Sequence, residues 1–167
     1  NPSGLPVFGY DTQCWNGTTT ATYASGDGSI GNPYQIANAA QFAYFANQVL
    51  GGQTYANKHF VLTNDIYLNH LWLETETANA NVWKPINGFA GNFDGAGYAI
   101  HGAFVNTIEN NAGIFGNITG DISNLCANSG FVQGLSNVGG IVGFTSGDML
   151  SCINANMVYA FGINAGG

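Results

Sequence analysis

The chain has 167 residues, of which 9 are acidic and 2 are basic, so its formal net charge is −7. This charge excludes a surface suited to nucleic acid or to anionic membranes, and no run reaches the ~18 apolar residues of a membrane-spanning helix. Only 7% of the residues are charged, against about 25% in a typical soluble domain, so uncharged side chains supply most of the polarity.

The first predicted element is an extended lead-in over residues 1–36, which is rich in Gly, Pro, Ser and Thr. A helix is predicted at 39–50, because Asn38 is a suitable N-cap and Gly51 follows the last apolar residue. The apolar face of this helix carries Phe42, Phe45, Ala46, Val49 and Leu50. We expect the helix to cap the first turn of the β-structure that follows, and a helix that binds a partner is the alternative.

Residues 37–98 are predicted to contain this capping helix and a first set of irregular coils. The apolar run at 60–68 indicates two short strands with a turn near Asn64. Residues 69–82 combine polar and aromatic side chains, which is typical of a projecting loop, and the segment from Trp83 onwards leads into a repeat.

The C-terminal part repeats itself. Asn110, Asn137 and Asn164 stand 27 residues apart, and each begins a similar Asn- and Gly-containing phrase. A fixed period with short Ile-, Val- and Phe-rich runs predicts an all-β fold, a parallel β-solenoid (β-helix), over residues 99–167, wound right-handed. An upstream copy is predicted to be shorter, with Ile100 equivalent to Ile122.

Stacked coils should place equivalent residues on top of one another, ~4.8 Å apart. The expected pairs are Ile114 with Ile141, Ile122 with Met149, and Leu125 with Cys152. The chain stops at Gly167 within a further copy, so we expect either a fragment of a longer solenoid or a last coil that pairs with another chain. In the second case the lead-in could donate a strand, giving head-to-tail assembly into a filament.

The repeat phrase at 137–143 resembles the GLUG motif of secreted bacterial proteins, and the segments at 31–36, 62–66 and 83–86 resemble the regions that precede such repeats. The resemblance covers about residues 15–167. It implies an adhesin-like region of a secreted or surface-anchored protein, and it brings no catalytic residue and no cofactor.

Asp121 and Asp148 are the best candidates for an acid pair, because they occupy equivalent positions one coil apart. Two carboxyl groups ~5 Å apart would suit a retaining glycosidase. We favour a structural role, in which each Asp follows a turn glycine and bonds nearby backbone. Calcium at the pair would require further oxygen ligands, so no metal is predicted.

Other reactive residues show no catalytic or metal-ligand spacing. The three histidines stand apart from one another and from the cysteines, and Cys126 and Cys152 are predicted to face opposite sides of adjacent strands, which favours free thiols. The histidines are His59, His70 and His101, and the cysteines are Cys14, Cys126 and Cys152. Asn16 and Asn117 fit the glycosylation sequon.

These observations favour a non-catalytic extracellular protein of a bacterial surface, which acts by adhesion or self-assembly. Its expected partners are other copies of itself, the rest of a longer solenoid, or glycans. The residues predicted to contact a ligand or an assembly partner are Trp15, Tyr67, Trp72 and Trp83. A glycan would be recognised by exposed aromatic rings among them. The alternatives are a carbohydrate-binding module and a polysaccharide-degrading β-helix enzyme.

Overall fold

The computed structural model describes residues 14–69 and 80–162 and the backbone of residues 165–166. This part of the chain holds one helix, α1 (Ala39–Leu50), and fourteen short strands. The strands are β1 (Tyr34–Ile36), β2 (His59–Leu62), β3 (Ile66–Tyr67), β4 (Asn92–Asp94), β5 (Ala99–His101), β6 (Phe104–Asn106), β7 (Phe115–Ile118), β8 (Asp121–Ser123), β9 (Cys126–Gly134), β10 (Val138–Gly139), β11 (Val142–Thr145), β12 (Met149–Leu150), β13 (Ile153–Ala160) and β14 (Ala165–Gly166).

The strands form a parallel β-solenoid, as predicted. Sheet 1 has the order β1-β2-β4-β8-β12, and sheet 2 has the order β3-β5-β9-β13 with β6 also paired to β9. Two smaller sheets join β7 to β11 and β10 to β14. Strands that pair therefore come from successive coils, and each pair runs parallel. The right-handed winding stays a prediction.

Ladders of apolar side chains form the interior. In sheet 1, Phe60 pairs with Phe93, Phe93 with Ile122, and Ile122 with Met149, which confirms the predicted pairing of Ile122 and Met149. The first three members of this ladder are each 1% exposed. Burial of such ladders supplies the main stabilisation of the fold, at about 25 cal/mol per Å² of apolar surface.

The predicted equivalence of Ile100 and Ile122 is wrong. Ile100 pairs with Ala127, whereas Ile122 pairs with Phe93. The corner between sheets 1 and 2 holds two more residues in the earlier coil than in the later one, so a fixed offset cannot align both sheets. Gly95 lies at this corner, where a Cβ atom would come within 2.5 Å of the Asn124 carbonyl oxygen.

The helix begins and ends as predicted. The Asn38 side chain accepts a hydrogen bond from the Gln41 N–H at 3.0 Å, and the Gly51 N–H donates to the Asn47 carbonyl. Phe42 and Phe45 are fully buried. Their rings contact aromatic rings of the solenoid interior: Trp83, Phe60, Phe89, Phe93 and Phe115. Helix α1 therefore caps the N-terminal end of the solenoid.

The described part of the lead-in closes the same end. The Gln35 N–H donates to the Ser25 carbonyl and the Ala24 N–H donates to the Gln35 carbonyl, both at 2.9 Å, so the outer edge of β1 is paired. The Trp15 N–H donates to the Tyr67 carbonyl of β3 at 2.9 Å. Residues 14–36 thus pair with their own first coil.

Candidate functional site at the open end

The C-terminal end of the solenoid is open within the described residues. We define the open end as β11, β12 and β13, each of which pairs with a strand on one side only. Their other edges carry backbone N–H and C=O groups that face along the solenoid axis. Such an edge can accept another strand, and natural proteins usually block it with charges, proline or a covering element.

Exposed apolar side chains concentrate at this end. Of the twelve large hydrophobic residues that are exposed in the described chain, six belong to the open end and two more, Leu135 and Phe161, flank it. The six are Phe144, Met149, Leu150, Ile153, Met157 and Tyr159. Met149 ends the interior ladder of sheet 1 and is 41% exposed, whereas the ladder members below it are buried. The other five pair with outward-facing residues of the coil below, as Leu150 does with Ser123 and Ile153 does with Cys126, so they lie on the outer faces of the last coil. This end therefore combines unpaired backbone with one exposed member of an interior ladder, Met149.

Few charges oppose pairing at the open end. Asp148 is the sole charged residue in the sequence from 122 to 167. Its N–H donates to the Asp121 side chain one coil earlier at 2.8 Å. The sequence indicated this feature through its low charge, but it did not reveal how many apolar side chains the last coil exposes.

The last described coil continues beyond β13. In β14, Ala165 pairs with Val138 and Gly166 pairs with Gly139, so the coil of β12 and β13 stays in register above β10. Asn137 also donates from its side-chain amide to the Asn111 side-chain oxygen at 2.9 Å. Asn111, and not Asn110 as the 27-residue period predicted, therefore lies opposite Asn137 at this coil corner. Asn164, the next member of the repeat, lies outside the described residues.

The predicted contact residues do not form one site. The expectation that Trp83 is exposed is wrong: it is 2% exposed, its ring stacks on Phe42 at 4.9 Å, and its indole N–H donates to the Ile114 carbonyl. Trp15 is half-buried and packs edge-on against Trp83. Tyr67 is half-buried and stacks on the imidazole of His101. Trp72, His70 and most of the predicted loop at 69–82 lie outside the described residues.

The carboxylate of Asp121 bonds backbone, as the structural interpretation expected. One of its oxygens accepts a hydrogen bond from the Asp148 backbone N–H, so it links two coils. The same role for the Asp148 carboxylate stays a prediction. In the described part of the chain, no group of three His, Cys, Asp or Glu side chains could hold a metal ion. Cys126 and Cys152 are free thiols. The sequon residues Asn16 and Asn117 are both exposed.

Comparisons with known proteins add one relative. Neither a protein-family model nor a solved structure matches the chain. The chain is 35% identical over 102 residues to a protein of Evansella cellulosilytica described as "Putative Gly-rich membrane protein", and the aligned region covers 58% of this chain. It spans 11% of that protein, which is therefore far longer. Within the described residues, no helix has the length and apolarity needed to cross a membrane.

Proposed function

We propose that this chain is a non-catalytic structural segment of a bacterial extracellular or cell-surface protein, and that it acts in adhesion or assembly through its open end. The observation that carries the proposal is the asymmetry between the two ends. Helix α1 and residues 14–36 cover the first coil, whereas the last described coil presents unpaired strands and, at Met149, the exposed end of the sheet 1 ladder. Function in this case resides in a surface that pairs with more β-structure.

The partner that fits this surface is another solenoid coil, from the same protein or from another copy. A strand that adds to β12 or β13 in parallel register would bond the free N–H and C=O groups and cover Met149. The direction of growth is restricted, because the N-terminal edges of β1 and β3 already carry hydrogen bonds from residues 14–36. A donor strand from residues 1–13 lies outside the described residues and stays a prediction.

The GLUG-type resemblance supports a surface location for the parent protein. The similarity to a Gly-rich protein described as a membrane protein is consistent with it. The low content of charged residues also favours dense packing between β-coils over a freely solvated surface.

Replacing Met149 with Lys tests the assembly surface. A lysine at the end of the interior ladder can extend its ammonium group to water in the free chain, so the fold should survive. A further coil stacked on it would bury that charge without a partner, which is costly. We expect wild-type protein to associate with rising concentration in static light scattering, and Met149→Lys to associate at least about tenfold more weakly.

Ile108→Lys is the matched control, because Ile108 is 80% exposed and lies outside the open end. It introduces the same charge on an apolar residue and should leave association unchanged. A wild-type chain that stays monomeric at every concentration would contradict the proposal, and so would two variants that weaken association equally.

A further inference from the structure

The outer face of sheet 1 carries a row of polar side chains from three successive coils. Phe60, Phe93 and Ile122 point inwards, so their neighbours along β2, β4 and β8 point outwards. One outward row contains His59, Asn92 and Asp121, and the second contains Val61, Asp94 and Ser123. The face lies on the flank of the solenoid, and its last strand, β8, pairs with β12 of the open end.

A turn beside the sheet converts this face into a cleft. The turn before β1 brings Ile30 and Pro33 beside the polar rows and forms with them a half-open cleft of about 350 Å³. The backbone N–H of His59 donates to the Gly28 carbonyl at 3.0 Å, and the Lys58 ammonium donates to the Asp27 carbonyl at 3.0 Å. These two hydrogen bonds hold the turn in place. Ile30 is 84% exposed, so the cleft has one apolar wall that stands in solvent.

The polar side chains of the cleft retain unused hydrogen-bonding capacity. Within the described residues, the side chains of His59, Asn92 and Ser123 make no hydrogen bond. Asp94 uses one oxygen, which accepts from the Ala96 N–H and the Asn124 amide. Asp121 likewise uses one oxygen, for the Asp148 N–H. By contrast, the Asn137 amide at a coil corner is bonded to the chain.

We propose that this cleft binds a linear, uncharged glycan that lies along the solenoid axis. Free amide, hydroxyl, imidazole and carboxylate groups match the paired hydroxyls of a sugar, and the wall of Ile30, Pro33 and Val61 matches its apolar C–H face. Adjacent strands lie ~4.8 Å apart, close to the length of one pyranose ring. Successive sugar residues would therefore meet equivalent side chains on successive coils.

The charge of the cleft determines the class of glycan. Asp94 and Asp121 both line it, and the basic residues of the chain are Lys58 and Lys84 alone. Uronates and sulfated sugars would be repelled by these carboxylates. This inference does not depend on the proposed assembly, because the cleft shares no residue with the open end.

The test is binding of the wild-type chain to hexasaccharides of β-1,4-linked glucose, xylose, mannose and N-acetylglucosamine, with a galacturonate hexasaccharide as the anionic comparison. Isothermal titration calorimetry should show binding of at least one neutral hexasaccharide and none of the galacturonate. Asn92→Ala and His59→Ala should each weaken that binding by about tenfold, since each removes side-chain hydrogen bonds to the sugar.

Asn117→Ala is the matched control, because Asn117 is an exposed strand asparagine on another sheet. It should leave glycan binding unchanged, and thermal melts should show that all three variants fold. Absence of binding to every neutral hexasaccharide would overturn the inference, as would equal losses in Asn92→Ala and Asn117→Ala. A thermal shift with calcium chloride and none with sugar would instead identify a cation site and would also overturn it.

Discussion

At the scale of single residues, a cluster of tyrosines fixes the lead-in to the capped end. The Tyr23 hydroxyl lies 2.7 Å from the Tyr55 hydroxyl, and the Tyr23 ring packs against Tyr34, Tyr44 and Phe60. Burial raises the pKa of Tyr23 well above its ordinary value, and the hydrogen bond to Tyr55 raises it further. Burial also raises the pKa of Tyr55. The folded chain therefore resists ionisation of these phenols.

This resistance predicts alkaline destabilisation. An unfolded tyrosine ionises near pH 10, whereas the folded cluster holds its protons to higher pH. Its contribution to stability is therefore complete below about pH 10 and is lost as pH rises above it. Urea midpoints measured from pH 7 to pH 11 should fall above pH 10 in the wild type, and Tyr23→Phe should make that fall shallower. Tyr98→Phe, at an exposed tyrosine, should retain the wild-type slope; identical slopes in all three proteins would contradict the prediction.

At the scale of elements, helix α1 caps the first coil of the solenoid. Phe45 is fully buried and contacts rings from successive coils, including Phe60 and Phe93. Phe45→Ala should lower the free energy of unfolding by about 3–5 kcal/mol, the usual cost of truncating a buried phenylalanine. Chemical denaturation followed by circular dichroism measures this change.

Asn47→Ala is the control for the helix, because Asn47 is exposed on α1. Alanine has the higher helix propensity, so this variant should be as stable as the wild type or slightly more stable. An unchanged midpoint in Phe45→Ala would mean that the helix packs only loosely on the solenoid.

Local sequence patterns predicted the helix and the strands better than they predicted which residues contact one another. The 27-residue period indicated the solenoid and the pairing of Ile122 with Met149, and the caps indicated α1. The burial of Trp83 depends on stacking against Phe42, 41 positions away in sequence, which no local pattern encodes. The predicted equivalence of Ile100 and Ile122 was wrong because the corners of successive coils differ in length. The cleft at Asn92 was missed because its wall comes from a separate turn.

At the scale of the whole molecule, the two ends should differ in stability. A solenoid coil contacts only the coils next to it, so its local stability depends on how many neighbours it has. Strand β9 lies between β5 and β13, whereas β13 pairs only with β9 within the described residues. At the other end, α1 and residues 14–36 take the place of a missing neighbour. The solenoid should therefore open from its C-terminal end.

Hydrogen exchange followed by mass spectrometry tests this order. At concentrations where light scattering shows single chains, peptides from β12 and β13 should exchange faster than peptides from β8 and β9, because opening the last coil breaks one interface and opening an inner coil breaks two. Peptides from β1 and β2 should be as protected as the inner coils. If wild-type chains associate through the open end, exchange in β13 should slow as concentration rises, and it should not slow in Met149→Lys. Equal protection of β13 and β9 in single chains would show that the last coil is already covered, and the open end would then be no site for assembly.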